Sequence, residues 1–305
     1  MTKKILVMIM AAFLESMLCL FGPPATTGDA ADEQTPRLSG LLDNLLDPKS
    51  KESQILQGVG AILGSTSELD YASERTIGES LALEGFRRYG MPVKDTNLQK
   101  YINLVGNAVA LNSLRPGIPY AFVVVDSLLQ NAFSCPGGII FISSGLLKSI
   151  QDEAQLAGIL AHEVAHVGHK HALQSIQRAR FFQGVGKITS ATMNGEKGKE
   201  FENMIGSLQT TLFDKGLDQN MEFEADKSAM KMAYRTGYDP EGIIEVLREL
   251  KRIEARSQKE GSWFSTHPPL GERIRRCEAE MRQYPDAKSL ARLPDRYRET
   301  GPSAR

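Results

Sequence analysis

Two histidines and a glutamate lie within five residues of one another, in the order His162, Glu163 and His166. Histidines four residues apart on a helix project from the same face, so both imidazoles can bind one zinc ion at about 2.0–2.1 Å. Glu163 lies one residue further round the helix, where its carboxylate can reach a metal-bound water rather than the metal. The pattern therefore predicts two zinc ligands and a general base for hydrolysis.

A catalytic zinc site needs a third protein ligand and one position left open for water. The segment Met221–Asp226 is the candidate, because it begins a predicted helix and places Glu222 and Asp226 four residues apart on one face. One carboxylate could meet the two imidazoles, and the other could accept a ring N–H from a histidine ligand. His169 and His171 follow the motif at offsets that match no extended zinc motif. We expect hydrogen-bonded or structural roles for both.

Periodic apolar residues predict a helix around the motif. They recur every three or four positions from Leu156 to Val167, and Ser149 and Asp152 ahead of them form a capping-box pattern. Upstream, short runs of β-branched and aromatic residues predict strands at 120–125, 131–134 and 139–143. The cluster Pro136-Gly137-Gly138 should join the last two strands as a hairpin. Helical periodicity also predicts helices at 74–89, 97–111, 199–217, 221–236 and 240–256.

These motifs together resemble those of the M48 family of zinc metallopeptidases. The resemblance rests first on the segment 162–166 followed by the acidic segment 222–226, and it covers roughly Glu74 to Met281. Further family-like segments are Asn131-Ala132-Phe133 with Pro136-Gly137-Gly138, Gly145-Leu146-Leu147, Thr236-Gly237-Tyr238-Asp239-Pro240, and Thr266-His267-Pro268-Pro269 with Arg273. Within that family, the chain resembles secreted or periplasmic bacterial members. Some of them carry a tetratricopeptide domain, for which the chain past Met281 is too short.

The resemblance implies a mostly helical, zincin-like α+β metallopeptidase domain, with a small β-sheet packed on the helix that carries the motif. It implies one zinc ion per chain, bound by His162, His166 and Glu222. Glu163 would be the catalytic base, and Asp226 would orient a histidine ligand from behind. Peptide hydrolysis is the reaction that this set of residues implies.

Two more residues gain roles only through the resemblance. Asn131 would lie on an edge strand that binds the substrate backbone in extended form. His267 would either stabilise the tetrahedral intermediate or occupy the fourth coordination position and keep the enzyme latent.

We expect an endopeptidase that degrades misfolded or unassembled exported proteins. The alternative is a latent or non-proteolytic, chaperone-like assembly factor for outer-membrane proteins, but the intact Glu163 favours catalysis, since a binding module needs no general base.

The first thirty residues predict export from the cytoplasm. Two lysines precede an unbroken apolar run, Ile5–Leu14, and Gly28-Asp29-Ala30 offers a small-residue cleavage point. The run is shorter than the roughly 20 apolar residues of a transmembrane helix. Cys19 is the alternative as a lipid acceptor, but Leu18 occupies the position where lipoprotein signals usually carry a small residue. We therefore expect a periplasmic protein cleaved after residue 30, in preference to a lipid-anchored one.

The composition and charge of the chain predict its division into domains and the class of its partners. We predict a signal peptide at 1–30, a linker with short helices at 31–70, the metallopeptidase domain at 71–285 and a loose tail at 286–305. With 36 basic and 37 acidic side chains the net charge is −1, which provides no field for nucleic acid. We expect unfolded or misassembled envelope polypeptides as substrates and no nucleic-acid partner, while peripheral membrane association stays open. Cys135 and Cys277 could pair after export, although a small buried hydrophobe describes Cys135 better.

Overall fold

A computed structural model describes residues 70–175, 206–255, 267 and 269–302. The chain divides into two units, 1–73 with 192–201 and 74–191 with 202–305, and residues 70–73 are the described part of the first. The predicted signal peptide, nearly all of the linker, Cys19, Thr266 and Pro268 lie outside the described residues, as do residues 199–205 of the helix predicted at 199–217. Over the described ranges, no helix is both long and apolar enough to cross a bilayer.

Three short strands form the sheet predicted upstream of the motif. They are β1 (Ala121–Val125), β2 (Ala132–Cys135) and β3 (Ile139–Ser143), in the spatial order β1-β3-β2. β2 and β3 pair antiparallel, which confirms the hairpin, and Gly137 and Gly138 supply the positive φ angles of its turn. β1 pairs in parallel with the other side of β3. This order leaves β2 at an edge of the sheet.

Helices make up most of the described residues, so the α+β, mostly helical fold is confirmed. The α-helices are α1 (Tyr71–Tyr89), α2 (Thr96–Ala110), α3 (Ser144–Leu147), α4 (Glu153–Gly168), α5 (Gln219–Thr236), α6 (Glu241–Glu254), α7 (Leu270–Glu280) and α8 (Pro294–Thr300). A π-helical turn, Thr210–Lys215, precedes α5, and 3-10 turns at Met281–Gln283 and Ala287–Ser289 follow α7. The helices predicted at 74–89, 97–111, 221–236 and 240–256 agree with α1, α2, α5 and α6 to within a few residues.

Helix α4, which carries the motif, lies at the centre of this fold. α2, α5 and α6 pack against it, and β2 and β3 contact it from the sheet. Every residue from Glu153 to Val167 is buried, as expected for a helix that contacts protein on all sides. A Cβ atom on Gly158 would lie 3.0 Å from the backbone nitrogen of Ile243, and one on Gly242 would lie 2.5 Å from the carbonyl oxygen of α4 at position 154. Glycine is therefore required for the close approach of α4 and α6.

Asp152 is the N-cap of α4. Its carboxylate accepts a hydrogen bond of 2.9 Å from the backbone N–H of Gln155. Ser149 takes no part in this cap, because its hydroxyl donates to the carbonyl oxygen of Leu146. The predicted capping box is therefore wrong: the helix begins three residues later than that pattern requires, and Asp152 occupies the cap position itself.

Residues 286–302 differ from the loose tail that the sequence predicts. Helix α8 packs against α2 and α4, and the buried Tyr297 donates its hydroxyl to the carbonyl oxygen of Leu147 at 2.6 Å. Arg292 donates to Asp152 at 2.6 Å, and Arg296 donates to Glu153, the next residue along, at 2.6 Å. The carboxylates lie 140 and 143 positions upstream of these arginines. Local periodicity missed this segment because its partners are distant in sequence.

The two described cysteines are unpaired. Cys135 in β2 and Cys277 in α7 are both buried and free, so the pairing that the sequence left open does not form. Burial raises the pKa of both thiols above the ordinary value. The interpretation of Cys135 as a small buried hydrophobe is confirmed.

Candidate active site

Helix α4 places the side chains of His162 and His166 next to each other. Both are buried, and their Nε2 atoms are 3.0 Å apart. Two atoms that bind one zinc ion in a tetrahedral site lie roughly 3.4 Å apart, given bond lengths of about 2.0–2.1 Å. The two imidazoles therefore converge on one point, as their four-residue spacing predicts.

Glu222 brings a carboxylate to the same point from the first turn of α5. Its Oε2 is 3.5 Å from Nε2 of His162, and its Oε1 is 3.6 Å from Nε2 of His166. Asp226, one turn further along α5, approaches from behind, and its Oδ1 lies 3.0 Å from Nδ1 of His162. One carboxylate thus faces the point where the imidazoles meet, and the other contacts the rear of a histidine ring.

The side chains at this point fit a zinc ion. His162, His166, Glu222 and His267 are all buried, and one ligand atom from each lies within 4.8 Å of every other. Imidazole nitrogens and carboxylate oxygens are the donors that zinc binds in such sites. The distances of 3.0 to 3.6 Å among the first three residues are close to the edges of a tetrahedron around one ion.

His267 lies between the predicted base and the predicted carboxylate ligand. Its Nδ1 is 3.0 Å from Oε2 of Glu222, and its Nε2 is 3.8 Å from Oε1 of Glu163. Its ring centroid is 5.3 Å from that of His162 and 5.4 Å from that of His166. The structure therefore brings His267 next to the candidate ligands, although it is 45 positions from Glu222 in the sequence.

Arg273, on α7, connects three of these residues. Its guanidinium is fully buried and donates from Nε and Nη2 to both oxygens of Asp226, at 2.7 and 2.6 Å. Its Nη1 lies 3.1 Å from Oε2 of Glu222 and donates to the carbonyl oxygen of His267 at 2.8 Å. One side chain thus positions two carboxylates and the backbone of His267.

A second group of polar side chains continues behind His166. Nδ1 of His171 lies 2.8 Å from Nδ1 of His166, and Nε2 of His171 lies 3.2 Å from Oε2 of Glu224. The other oxygen of Glu224 is 3.2 Å from Nδ1 of His169, whose Nε2 contacts the hydroxyl of Ser228 at 2.9 Å. Both histidines are therefore hydrogen-bonded, in agreement with the expectation for them.

Neighbouring charges favour an ionised Glu222 beside a neutral His166. Burial by itself raises the pKa of Glu222, but the imidazole of His267 and the guanidinium of Arg273 hold that pKa well below its usual range. Burial lowers the pKa of His166 well below its usual range. An ionised carboxylate and a neutral imidazole are the protonation states in which these groups bind a metal.

His162 responds differently to the same surroundings. Burial and the nearby Arg273 lower its pKa, but contacts with Asp226 and Glu222 outweigh them and raise the pKa to about 9. A proton on His162 and a metal ion at its Nε2 would therefore compete for the same lone pair.

Asn131 immediately precedes the edge strand β2. Its backbone N–H donates to the hydroxyl of Ser143 at 3.0 Å, and its carbonyl oxygen accepts from the backbone N–H of Ser143 at 2.9 Å. Its side-chain amide is 2% exposed, yet neither amide atom makes a hydrogen bond of ordinary geometry within the described residues, although Tyr89 lies nearby. Among the described strands, β2 pairs with β3 alone. β2 thus lies at an edge of the sheet and packs against α4, and all four of its residues are buried.

Two imidazoles and a carboxylate from two helices, a second carboxylate next to the first histidine, and an adjacent edge strand define a metallopeptidase with an HExxH motif. A comparison with protein families agrees: residues 96–281 match Peptidase family M48. The chain therefore belongs to this family of peptidases.

Several curated proteins are similar in sequence to this chain over more than half of its length. The chain is 28% identical over 250 residues to a beta-barrel assembly-enhancing protease of Yersinia pestis, which covers 77% of this chain and 49% of the relative. It is 27% identical over 221 residues to the beta-barrel assembly-enhancing protease of Escherichia coli strain K12, covering 70% and 44%. It is 28% identical over 201 residues to the mitochondrial metalloendopeptidase OMA1 of Bos taurus, covering 63% and 38%. The chain spans about half or less of the length of these relatives.

The sequence patterns assigned no role in the site to Arg273 or Glu224. A signal for Arg273 exists, because Leu270, Arg273 and Cys277 follow three- and four-residue spacing and all three are buried on α7. A charged residue on the apolar face of a helix calls for a buried partner. Glu224 carries no such signal, since an exposed glutamate in the first turns of a helix is common without any ligand.

Proposed function

We propose that this protein is a zinc-dependent endopeptidase of the cell envelope that degrades misfolded or unassembled exported proteins. The observation that carries the proposal is the convergence of His162, His166 and Glu222 on one buried point, with Glu163 next to the first ligand. Membership of Peptidase family M48 supports the reaction. The proposed location and client proteins rest on the predicted signal peptide and on the names of the bacterial relatives. The family alone does not decide the location, because a mitochondrial metalloendopeptidase is also similar to this chain.

When bound, zinc supplies a Lewis acid that polarises the scissile carbonyl and lowers the pKa of the attacking water. Glu163 accepts the proton of that water on its carboxylate and delivers it to the leaving amine. Asp226 accepts the Nδ1–H of His162, so that Nε2 keeps its lone pair for the metal. Arg273 fixes Asp226 in this position through two hydrogen bonds. Each of these side chains is buried, which keeps competing water away from the reaction.

The edge strand β2 would bind the substrate. A polypeptide laid along this edge would form main-chain hydrogen bonds, which give affinity with little demand on side chains. The amide of Asn131, at the start of β2, would bind a peptide group of that substrate once the groups that bury it move aside. This mode of binding supports unfolded or misassembled clients, because a folded protein offers no free extended segment of sufficient length.

We propose that His267 occupies the fourth coordination position in the resting enzyme. Its 3.0 Å contact with Glu222 and its 3.8 Å distance from Glu163 support a location between the ligands and the base, where the attacking water has to bind. On this proposal His267→Ala raises casein digestion while zinc stays bound. If His267 instead stabilises the tetrahedral intermediate, the same variant loses turnover with normal zinc content, and the latch is excluded.

The test of the proposed reaction is casein digestion by the purified full chain, with zinc measured by atomic absorption. Glu163→Gln should retain one zinc and the wild-type fold but lose about 10²- to 10⁴-fold in rate, because an amide cannot accept the proton of the water. Glu278→Gln, an exposed carboxylate on α7, is the matched control and should digest casein at the wild-type rate. Equal rates for Glu163→Gln and wild type would exclude Glu163 as the base.

A second candidate function is a latent or non-proteolytic, chaperone-like assembly factor for outer-membrane proteins. The observation that favours it is His267 beside the ligands, because a closed four-coordinate site resembles a structural zinc site. Binding of an unfolded outer-membrane protein separates the two functions. If the protein is an assembly factor, the wild type and Glu163→Gln should prevent aggregation of that client equally well, and neither should cleave it.

Export is tested by the intact mass of the protein purified from a cell envelope fraction. A mass that begins at residue 31 supports the signal peptide and the periplasmic location. A mass equal to that of a chain beginning at Cys19 with added acyl chains would show a lipid anchor in place of the cleaved signal peptide.

A further inference from the structure

The edge of β2 that faces away from β3 is covered by another part of the same chain. All four residues of β2 are buried, although β3 is its only partner among the described strands. A cavity at this edge is lined by Ser134, Cys135, Pro136, His166, Leu212 and Leu217, among others. Ser134 and Cys135 point to opposite faces of the sheet, so a cavity that both line lies at the edge of the strand. Its volume is about 10 Å³, enough for one water molecule but not for a polypeptide.

The covering segment is the π-helical turn Thr210–Lys215, which places Phe213 against β2. The ring centroid of Phe213 lies 5.1 Å from that of Phe133 in β2 and 5.9 Å from that of Tyr89 in α1, edge to face in both pairs. Phe141, the residue opposite Phe133 on β3, stacks on the ring of Phe133 at 4.6 Å. Phe133 therefore has one aromatic neighbour from the sheet and a second from the turn.

The turn is held by two buried side chains and a surface ion pair. Within it, only Leu212 and Phe213 are buried. Asp214 pairs with Arg88, and the two side chains are 48% and 34% exposed, so solvent screens the attraction. The turn ends at Gly216, whose φ of 79° is readily accessible only to glycine. π-helical turns are rare and are found frequently at functional sites. Separating the turn from β2 therefore costs mainly one surface ion pair and the burial of two side chains.

We propose that this turn occupies the substrate-binding edge in the resting protein, and that Phe213 fills a subsite for an aromatic side chain of the substrate. The proposal rests on the proposed function, in which an extended substrate lies along β2. Side chains of facing residues on neighbouring strands lie on the same side of the sheet and contact each other. A substrate residue opposite Phe133 would therefore bring its side chain to the place where Phe213 now lies. An aromatic ring there would make the edge-to-face contacts that Phe213 makes.

The turn and a substrate exclude each other in this arrangement. His166 lines the same cavity as Leu212, so the turn also borders the candidate metal ligands. Because only the molecules with the turn displaced can bind, the apparent affinity for substrate is reduced by the fraction of such molecules. Large apolar side chains are mostly buried in folded proteins. The substrates that displace the turn best are therefore unfolded segments with an exposed aromatic residue.

The test is the binding of a peptide to the full chain with Glu163→Gln, the parent protein here, which should bind substrate without cleaving it. The probe is a short fluorescein-labelled peptide of serine, threonine and valine with one central phenylalanine, and fluorescence anisotropy measures its binding. Phe213→Ala should bind it at least about tenfold more tightly than the parent, because the buried ring that holds the turn is gone. Asp214→Asn should bind it about 1.5- to 5-fold more tightly, as expected for the loss of an exposed ion pair.

A second peptide, identical except for alanine in place of phenylalanine, tests the subsite. It should bind each variant about 2- to 10-fold more weakly than the first peptide, since it lacks the aromatic contact. Phe86→Ala is the control for lost packing, because that buried ring contacts Phe141 on the central strand β3. Asp295→Asn is the control for a lost surface ion pair, here with Arg298 on α8. Both controls should bind the two peptides as the parent does.

Unchanged or weaker binding of the phenylalanine peptide by a folded Phe213→Ala and by Asp214→Asn would overturn the proposal. If circular dichroism shows that Phe213→Ala does not fold, Asp214→Asn decides alone. Equal binding of the two peptides by Asp214→Asn would overturn the aromatic subsite. Tighter binding by both variants, in a chain that never digests casein with Glu163 intact, contradicts the proposed function but supports the turn as the occupant of the edge. Casein digestion that depends on Glu163, without tighter peptide binding by either variant, overturns this inference alone.

Discussion

Replacing Arg273 by methionine should destabilise the metal-free protein by about 3–5 kcal/mol, the usual cost of removing one partner from a buried ion pair. The guanidinium is fully buried and contacts Asp226 at 2.6 and 2.7 Å and Glu222 at 3.1 Å. Methionine has a similar reach and no charge, so the loss is chiefly electrostatic. Burial raises the pKa of Asp226, and Arg273 is the main group that holds it below its ordinary value. Without Arg273, the carboxyl must therefore be either an unpaired buried charge or protonated.

Urea unfolding of the full chain at pH 7 with a chelator present, followed by circular dichroism, measures this cost. Asp226→Asn removes the charge that Arg273 neutralises, so the double variant should recover part of the loss caused by Arg273→Met. The coupling between the two substitutions should be about 1–3 kcal/mol, within the range for residues in direct contact. Arg275→Met is the matched control on α7. Its guanidinium pairs with Glu272 at the surface, so its midpoint should equal that of the wild type.

A cost below about 1 kcal/mol for Arg273→Met would contradict the reasoning, because a fully buried ion pair that breaks so cheaply is not neutralising its partners. A destabilisation of about 3–5 kcal/mol by Arg273→Met without any coupling to Asp226→Asn would contradict the electrostatic explanation of that loss. The loss would then come from the packing of α7 or from the hydrogen bond to the carbonyl oxygen of His267.

Three shorter predictions follow from other parts of the structure. Glu222→Ala should lose most of its zinc on dialysis, since only neutral imidazoles would then hold the ion, and stoichiometric zinc in that variant would remove Glu222 from the ligand set. Gly242→Ala should lower the unfolding free energy by about 1–3 kcal/mol, because its Cβ would lie 2.5 Å from a carbonyl oxygen of α4, whereas Gly117→Ala meets nothing within 4 Å and should be neutral. Burial raises the pKa of Glu153, but its hydrogen bonds, that from Arg296 first, lower it below the ordinary 4.5. The stability that Glu153 adds is therefore present above pH 4.5 and lost as pH falls through its folded pKa. Arg296→Met should cost about 1 kcal/mol at pH 7 and less in acid, because its guanidinium is half exposed and solvent screens the pair. A cost independent of pH would refute the assignment.

The parts of the fold that depend on near neighbours in the sequence could be predicted from it. The helix of the motif follows from apolar residues at helical spacing, and the β2–β3 hairpin follows from a Pro-Gly-Gly turn between two β-branched runs. The same local spacing placed Glu222 and Asp226 on one face of a helix, and the structure brings that face to His162.

The parts that depend on distant partners could not be predicted. The parallel pairing of β1 with β3 skips over β2, and no sequence pattern marks which strand lies in the middle. α8 looked loose because its arginines are polar, and only the fold supplies the buried Glu153 that pairs with Arg296. Arg273 belongs to the same class, since its two carboxylates lie 47 and 51 positions upstream on another helix. The burial of a charged residue can be predicted from sequence only when its partner of opposite charge is known.

The start of α4 is held by side chains near the end of the described chain, and this has a consequence for the order of events during synthesis. The helix that bears the motif begins at Glu153, but Arg292 and Arg296, which neutralise its first residues, and Tyr297, which bonds Leu147, are made about 140 to 150 residues later. A chain that emerges from its N-terminus therefore exposes both histidines of the motif long before the helix start is secured. We expect the nascent protein to bind metal loosely until residue 297 has emerged, so that the peptidase becomes active only after that residue has been added.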